Sequence, residues 1–366
     1  VDFCYHYGMT PISVLYDGWA LVHQPTHPAA LHLLALLENL PAEVQATLAL
    51  PGPAPDWLPP GLAVQVIETS PGSSARLGWE QRRLPALARQ VGAEWLHSPS
   101  GAAPLLGRQP AMALSPTHFE ADEPRPRGLA ERLRRSLAQG GQGNARAVFW
   151  PADLPPSRSK TPLRLLPPVV SALFAPSAAP QTLPGGDGDH LPESFLLYHG
   201  PGSPQATARL LDAWFWAASS VGSYTPLIMA GLSSPERARM KALLAGTTAA
   251  ESVLFLTTLP PAALAEVYRR CTALVHTAAE PAWGGPIRHA LACGKPVVAC
   301  NDPRIEALVG PAAYLAPAED SRLLGAALIT VVVEQNVAEG LAQAAMQRAA
   351  AWSGAAFAEK LSESYR

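Results

Sequence analysis

Short apolar runs recur through the second half of the chain, each parted from the next by a stretch with helical spacing. Residues 195–199 (FLLYH), 226–230 (PLIMA), 253–256 (VLFL), 273–276 (ALVH) and 296–299 (PVVA) read as strands buried on both faces. Between them 206–219, 234–244, 262–269 and 286–293 carry the helical pattern. Strand, helix and strand at such short intervals leave room only for parallel pairing with right-handed crossovers, so this half is expected to be a doubly wound α/β domain.

The first half alternates in the same way. Residues 12–16 (ISVLY) form a strand that runs into Asp17-Gly18, and a helix opens at Pro28 and is stopped by Pro41. Strands follow at 44–50 and 62–67, a helix at 79–90, and strands at 94–97 and 111–115. From Pro151 to about residue 190 the texture becomes dense in Pro, Gly and Ser, which predicts an interdomain connection without lasting regular structure. No repeat of fixed period is present, which removes solenoids and propellers. Two doubly wound domains joined in this way face each other across a cleft at the carboxyl ends of both sheets, where ligands of such domains bind.

Composition narrows the function. The 366 residues carry 27 basic against 29 acidic side chains, so no global field gathers nucleic acid or an acidic membrane. A hydrophobic share of 48% suits a folded globular chain. Cys4, Cys271, Cys293 and Cys300 lack metal-ligand spacing and read as reduced buried thiols. The longest apolar run, 324–333, is about half of a bilayer crossing, and no signal-peptide pattern is read at the start, where Val1 replaces the usual Met. The expected location is the cytoplasm, with at most peripheral contact at the inner face of the membrane. No Gly-x-Gly-x-x-Gly opens a helix, so no cofactor fingerprint appears.

The second half also carries an ordered set of motifs. Leu264 and Tyr268 lie on a helix before a strand; Glu280 and Pro286 follow; Ala292-Cys293-Gly294, Pro296-Val297-Val298 and Glu306 through Gly310 come after. In this order they resemble the donor-binding domain of family 4 glycosyltransferases of the GT-B fold. Trp79-Glu80-Gln81, Leu84-Pro85, His97-Ser98-Pro99 and Ala103-Pro104-Leu105 extend the resemblance more weakly into the first half. It implies two Rossmann-like doubly wound domains: an acceptor-side domain at 11–165, a linker at 166–192, a nucleotide-sugar domain at 193–350, and a C-terminal helix at 351–366 that crosses back to the first domain.

The implied chemistry is retaining transfer of a hexose from a nucleotide diphosphate sugar to a glycan or glycolipid acceptor, without a bound metal or other cofactor. On this resemblance Glu280 contacts the donor sugar and His118 serves the acceptor side. Gly200, Gly202, Trp283, Gly284, Gly285, Pro286, Ile287, Arg288, His289 and Arg209 form the nucleotide and diphosphate surface, with the 284–286 turn offering backbone N–H groups to phosphate.

Four departures stand against it. The clamp lysine of the family falls at Ala206 and its neighbouring arginine at Gln205, which removes two charge-assisted contacts worth ~1.5–3 kcal/mol each. Arg209 substitutes only in a shifted register. The second glutamate of the motif, which grips ribose hydroxyls, falls at His289, whose imidazole cannot accept two hydroxyls as a carboxylate does. The Gly-rich turn after the first strand is replaced by DGWALVHQPTHPAAL, and the expected acceptor-side histidine falls near Pro116, with His118 two residues late.

Several features have plainer readings. Glu280 is otherwise a loop carboxylate at a helix start, His289 a satisfied buried histidine, Arg288 a solvated first-turn arginine and His118 an ordinary loop histidine. Asp187-Gly188-Asp189 sits in a glycine-rich linker and reads as a turn. Leu129, Leu133 and Leu137 form a stripe among Arg127, Arg132, Arg134 and Arg135; the favoured reading is a helix packed by its leucines with arginines in water, and the other a face lying on anionic membrane. Two functions stay open: an active hexosyltransferase, and a noncatalytic GT-B relative that acts as a partner subunit or scaffold. Sugar binding in the same cleft without turnover is a third.

Overall fold

The computed structural model describes residues 11–105, 110–119, 126, 128–157, 159–176 and 191–366. Cys4, the Asp187-Gly188-Asp189 turn and most of the expected linker lie outside the described residues.

The first domain is a seven-stranded parallel sheet in the order β3-β2-β1-β4-β5-β6-β7. Its strands are β1 (Ile12–Asp17), β2 (Val44–Leu50), β3 (Ala63–Val66), β4 (Trp95–Ser98), β5 (Ala111–Leu114), β6 (Ala147–Pro151) and β7 (Leu163–Leu166). The second is a six-stranded parallel sheet, β10-β9-β8-β11-β12-β13. It comprises β8 (Leu196–His199), β9 (Leu227–Ala230), β10 (Val253–Phe255), β11 (Ala273–His276), β12 (Val297–Cys300) and β13 (Ala313–Ala316). In both, the order reverses beside the first strand of the domain, between β1 and β4 and between β8 and β11, and the crevice at that switch point is where ligands of such sheets bind. Each of β8, β9, β11 and β12 is buried along its whole length, which is why these segments read as unbroken apolar runs.

The helices that frame the cleft follow from local signals. In the first domain α1 is Trp19–His23, α2 Pro28–Glu38, α3 Ser73–Gly78, α4 Leu84–Gln90 and α5 Leu129–Gly141. In the second α6 is Pro204–Val221, α7 Ser234–Leu244, α8 Pro261–Arg270, α9 Pro286–Ala292, α10 Pro303–Val309, α11 Ser321–Val333 and α12 Gln335–Ala350, and the chain ends in α13 (Gly354–Tyr365). Proline stands in the first turn of α2, α6, α7, α8, α9 and α10, where its missing N–H is not needed.

Two expectations need correction. The Pro-rich stretch after residue 151 does hold regular structure, because β7 forms at the edge of the sheet, where flanking prolines forfeit no ladder bond on the open side. The helix expected over 79–90 is also not uniform: Trp79–Arg83 is a π-helical stretch joining α3 to α4. It turns both Trp79 and Glu80 inward, at 0% and 2% exposure.

One apolar core runs through both domains, including Phe149, Trp150 and Leu166 of the first and Leu197, Trp283, Ile287 and Val297 of the second. The chain returns to the first domain through α13, where Tyr365 accepts the Trp95 indole N–H on its carbonyl at 2.7 Å and donates its hydroxyl to Tyr16 at 3.2 Å. Among the described residues no single helix is long and apolar enough to cross a membrane. The apolar run in α11 instead packs on α6, with Gly325 allowing close approach to the Ala213 carbonyl.

Candidate functional site

A cavity of about 630 Å³ opens between the domains at the carboxyl ends of β1, β8 and β9. Its first-domain wall is built by the loops around Trp19–Pro28 and Pro71–Arg76, by Ser100 and Phe119, and by the α5 residues Glu131, Arg134 and Arg135. Its second-domain wall is the 199–202 loop, the 231–237 segment and Thr258.

The charge of the first-domain wall is organised by buried carboxylates. The π-helical turn presents Glu80, which accepts Arg76 Nε at 2.8 Å and Arg134 Nη1 at 3.0 Å on the same oxygen. Glu131 takes Arg134 Nη2 at 2.9 Å and Arg135 Nε at 3.0 Å, and these guanidiniums pull its carboxyl down to about 2 against the cost of burial. The predicted leucine packing of this helix is therefore inverted. Leu129 is 83% exposed and Leu133 46%, while Arg134 and Arg135 are drawn inward by their ion pairs and Arg132 stays exposed; Arg127 lies outside the described residues.

Two histidines of the cleft, His27 and His199, are neutral. His199, at the end of β8, is hydrogen-bonded to the Tyr268 hydroxyl at 2.7 Å and, through Nε2, to the Thr26 carbonyl at 3.1 Å, a bond that ties the second domain to the first. Burial lowers its pKa to about 4 and that of His27 to about 3.

Of the residues predicted for the site, Gly200 and Gly202 line this cavity. Gly202 is packed so closely on Glu236 that a Cβ would meet the carboxyl carbon at 2.3 Å. The position of the missing lysine is occupied differently: Ala206 is fully buried against Ala278 and against Phe119 of the first domain, so an apolar contact stands where a clamp cation is expected. Arg209 donates to the Thr277 carbonyl at 3.1 Å. His118 is half-buried beside Gly101, and its neighbour Phe119, not the imidazole, faces the cavity.

The 280–289 segment is sealed beneath the domain interface. Trp283 donates its indole N–H to the Phe149 carbonyl at 2.9 Å and its backbone N–H to Pro116 at 3.2 Å, and its ring stacks on His32 at 4.7 Å. Gly284, at φ +66°, lies so near α2 that a Cβ would stand 2.1 Å from the Pro28 carbonyl oxygen. Glu280 is wholly buried; its Oε1 accepts the N–H of Ile287 at 3.2 Å and fills the space a Cβ on Gly285 would take. Burial pushes this carboxyl up to about 8, although Arg288 and the α9 N–H groups pull it down.

Arg288 is not the solvated first-turn arginine of the plainer reading: it is fully buried, forks onto Asp153 at 2.7 and 2.9 Å, and lies over the Trp352 ring. His289 is packed at 4.1 Å on Phe174, so the imidazole expected to meet ribose is covered by the segment that follows β7. Several of these sealed groups keep polar atoms without a hydrogen-bond partner among the described residues: both ring nitrogens of His32, Nε of Arg288 and Nδ1 of His289; Oε2 of Glu280 lies 3.3 Å from His276 Nε2. Among the described residues no three His, Cys, Asp or Glu side chains converge on a point that would hold a metal ion. Cys271, Cys293 and Cys300 are buried, and none of them is in a disulfide among the described residues.

Sequence reasoning missed the first-domain wall. Arg134 and Arg135 were visible as members of a basic stripe, but nothing local marks Arg76, Glu80 or Phe119 as neighbours of the 199–202 loop.

Comparison with known proteins agrees with this architecture. Residues 210–348 match the family described as Glycosyl transferases group 1, a match that begins just after the loop in which the expected cations are absent. No curated protein gives a significant match to the sequence. Sucrose-phosphate synthase from Thermosynechococcus elongatus is similar in structure, with TM-score 0.68 and 20% identity over 97% of this chain and 98% of its own. WaaG, a glycosyltransferase involved in lipopolysaccharide biosynthesis, is similar with TM-score 0.68 and 13% identity over 97% of this chain and 99% of its own. Anabaena HepE, solved with UDP and glucose, gives TM-score 0.66 and 16% identity over 96% of this chain and 99% of its own. The fold is that of the GT-B glycosyltransferases, two Rossmann-like parallel-sheet domains across a cleft.

Proposed function

We propose that the protein is a nucleotide-sugar-dependent glycosyltransferase that transfers a hexose, with retention, to a glycan or glycolipid acceptor. In that reaction the bond from the anomeric carbon to the diphosphate breaks, the acceptor oxygen forms the new bond on the same face, and the acceptor proton leaves. The reading is carried by the unpartnered ring nitrogens of His32 and Nδ1 of His289, in and against the family-matched segment beside the cavity. A buried polar group without a partner costs ~1–3 kcal/mol. A sugar or ribose hydroxyl placed under the 283–285 turn would satisfy several at once. Donor entry requires that turn to withdraw from α2, after which Glu280 meets the sugar, the 284–286 backbone the diphosphate and His289 the ribose. No metal or other cofactor is required on this reading, and the acceptor approaches from the first-domain side near His118.

A second reading is favoured by one observation, the Phe119–Ala206–Ala278 contact. A chain that has exchanged the diphosphate clamp for an apolar contact between domains is a noncatalytic GT-B relative, serving a partner as subunit or scaffold.

Calorimetry with UDP, GDP and ADP and with their sugar conjugates separates the two. Binding of one nucleotide, with Glu280→Ala weakening the sugar conjugate about tenfold but not the bare diphosphate, supports the transferase. No binding of any of them at millimolar concentration supports the partner reading.

A further inference from the structure

Three aromatic residues stand in a row on α6, and a helix can turn only part of such a row inward. Trp214 takes the inward place, fully buried, with its indole N–H donated to Ser252 Oγ at 3.1 Å. Phe215 and Trp216 are left outside at 42% and 50% exposure. The neighbouring helix extends them into a patch: Leu323 and Val333 of α11 are 50% and 56% exposed, with Ala326 exposed on the same stripe. None of these residues lines the cleft cavity.

The patch is held from below. Helices α6 and α11 close up at Gly325, where a Cβ would meet Trp216 Cβ at 2.7 Å and the Ala213 carbonyl oxygen at 2.8 Å. The Arg322 guanidinium lies over the Trp216 ring at 4.7 Å and restrains it. Two aromatics on a rigid support, with aliphatic neighbours and an arginine, have the composition of an interface centre.

Charge selects the occupant. Among the exposed residues of α6 and α11 the charged ones are Asp212 and Arg322, one of each sign. Both border Trp216: Asp212 stands one turn before it on the same face, and Arg322 covers its ring. Neither has an ion-pair partner among the described residues. A face with one acid and one base has no net charge to select an anionic lipid surface or a nucleic acid. It is instead complementary to itself, because a two-fold axis through its centre sets the acid of each copy toward the base of the other.

We infer that the α6–α11 face is a two-fold interface between two copies of this chain, with Phe215, Trp216 and Leu323 at its centre and reciprocal Asp212–Arg322 pairs beside them. The 18 residues of α6 and 13 of α11 make helices ~27 and ~20 Å long and ~10 Å wide. Their outer faces cover roughly 500 Å², over half of the ~800 Å² that each partner gives to a standard interface, which suits a reversible dimer of micromolar Kd. The inference stands apart from the transferase reading, since the cleft stays open in the dimer whichever function it serves.

Sedimentation velocity on the full-length protein, loaded from about 1 to about 200 µM, reads the association. Asp212→Arg and Arg322→Asp are the test variants. Both positions are exposed, arginine is a good helix former, and an acid is favoured in the first turn of α11, so the fold tolerates each; thermal unfolding confirms it. The expected result is a wild-type dimer and at least tenfold weaker association in each variant, where like charges face each other across the axis. An equimolar mixture of the two variants should associate about as tightly as the wild type, because one charge pair of the mixed dimer is native and the other has its signs exchanged. Trp216→Glu should abolish association and gain nothing from mixing with either variant. A wild type that stays monomeric over the whole range, a dimer unaffected by the charge substitutions, or a mixture no tighter than its components overturns the interface.

Discussion

The carboxyl of Glu280 accepts the backbone N–H of Ile287 at 3.2 Å, so the side chain expected to meet a donor sugar caps the helix expected to meet its diphosphate. Glu280 is fully buried, and burial raises its pKa from the usual carboxyl range to about 8. A carboxyl whose folded pKa lies above its unfolded one contributes its full stability below about 4.5 and loses it as the pH climbs through 8. Glu280→Gln keeps the cap and cannot ionise. Its unfolding free energy is therefore expected to gain on that of the wild type between pH 5 and 8, by up to ~1.4 kcal/mol for each unit of pH, with the melting temperature rising in step. Parallel melting curves across that range would show that Glu280 is already ionised in the folded protein.

Gly284 is the residue through which the donor segment touches α2. With φ at +66° and a prospective Cβ 2.1 Å from the Pro28 carbonyl oxygen, Gly284→Ala meets both the left-handed penalty of ~1–2 kcal/mol and a backbone collision. The expected result is a loss of more than about 2 kcal/mol in urea unfolding, or a larger radius of gyration by solution scattering if the domains part before they unfold. A variant with unchanged stability and dimensions would mean that the contact is not maintained in solution.

The Arg288–Asp153 pair fastens the second domain to the loop after β6. Arg288 is fully buried and Asp153 holds both of its terminal nitrogens, so Asp153→Asn leaves a charge uncompensated and is expected to cost ~3–5 kcal/mol. Arg288→Met in the same background removes that charge and should recover most of the loss. Denaturant titration of the single and double variants decides it, and a double variant no better than Asp153→Asn would trace the cost to lost packing.

Legibility in the sequence tracked locality. The strands β8, β9, β11 and β12 were visible because burial on both faces writes an unbroken apolar run, and α6 through α9 because helical spacing stands out between those runs. Strand β7 was hidden by its prolines, which an edge strand tolerates. At the site, the absence of a lysine at Ala206 was plain from the motif order. What replaces it was not, since Phe119 arrives from a loop of the other domain. Arg76, Glu80 and Arg134 likewise come from separate segments, and only the π-helical turn at 79–83 brings them together.

Acid should destabilise the protein from about pH 6.5 downward, where its buried imidazoles are driven to take up protons. Burial holds His27, His97 and His276 near 3 and His199 near 4, and lowers His32 and His289 well below the usual imidazole range. A group with a depressed folded pKa contributes stability above its unfolded value, near 6.5, and loses it as the pH falls toward its folded value. Each of these six histidines then contributes up to ~1.4 kcal/mol per pH unit, which outweighs the opposite slopes of Glu280, Asp17 and Glu38, whose carboxyls burial raises. Unfolding free energy is expected to fall steeply from pH 6.5 to 4.5, and His32→Phe, which keeps the stack on Trp283, should flatten the slope. A profile without slope over that range would place these imidazoles in contact with solvent.

The last prediction concerns the missing clamp. Ala206 is fully buried at the first turn of α6, with Phe119 and Ala278 on it, so Ala206→Lys alone forces an ammonium into an apolar contact and should lower stability by several kcal/mol. Removing the aromatic ring from the opposite wall changes that outcome. In Phe119→Ala with Ala206→Lys the lysine has a route into the 630 Å³ cavity, beside the Gly200–Gly202 loop, where a diphosphate would lie. A charge-assisted contact of ~1.5–3 kcal/mol corresponds to at least a tenfold gain in UDP affinity over the wild type. Calorimetry on the single and double variants reads this directly. Gain in the double variant alone means that the nucleotide site survives and that Phe119 with Ala206 is what weakens it. No gain in either means that the seal over 280–289, and not the lost lysine, keeps the nucleotide out.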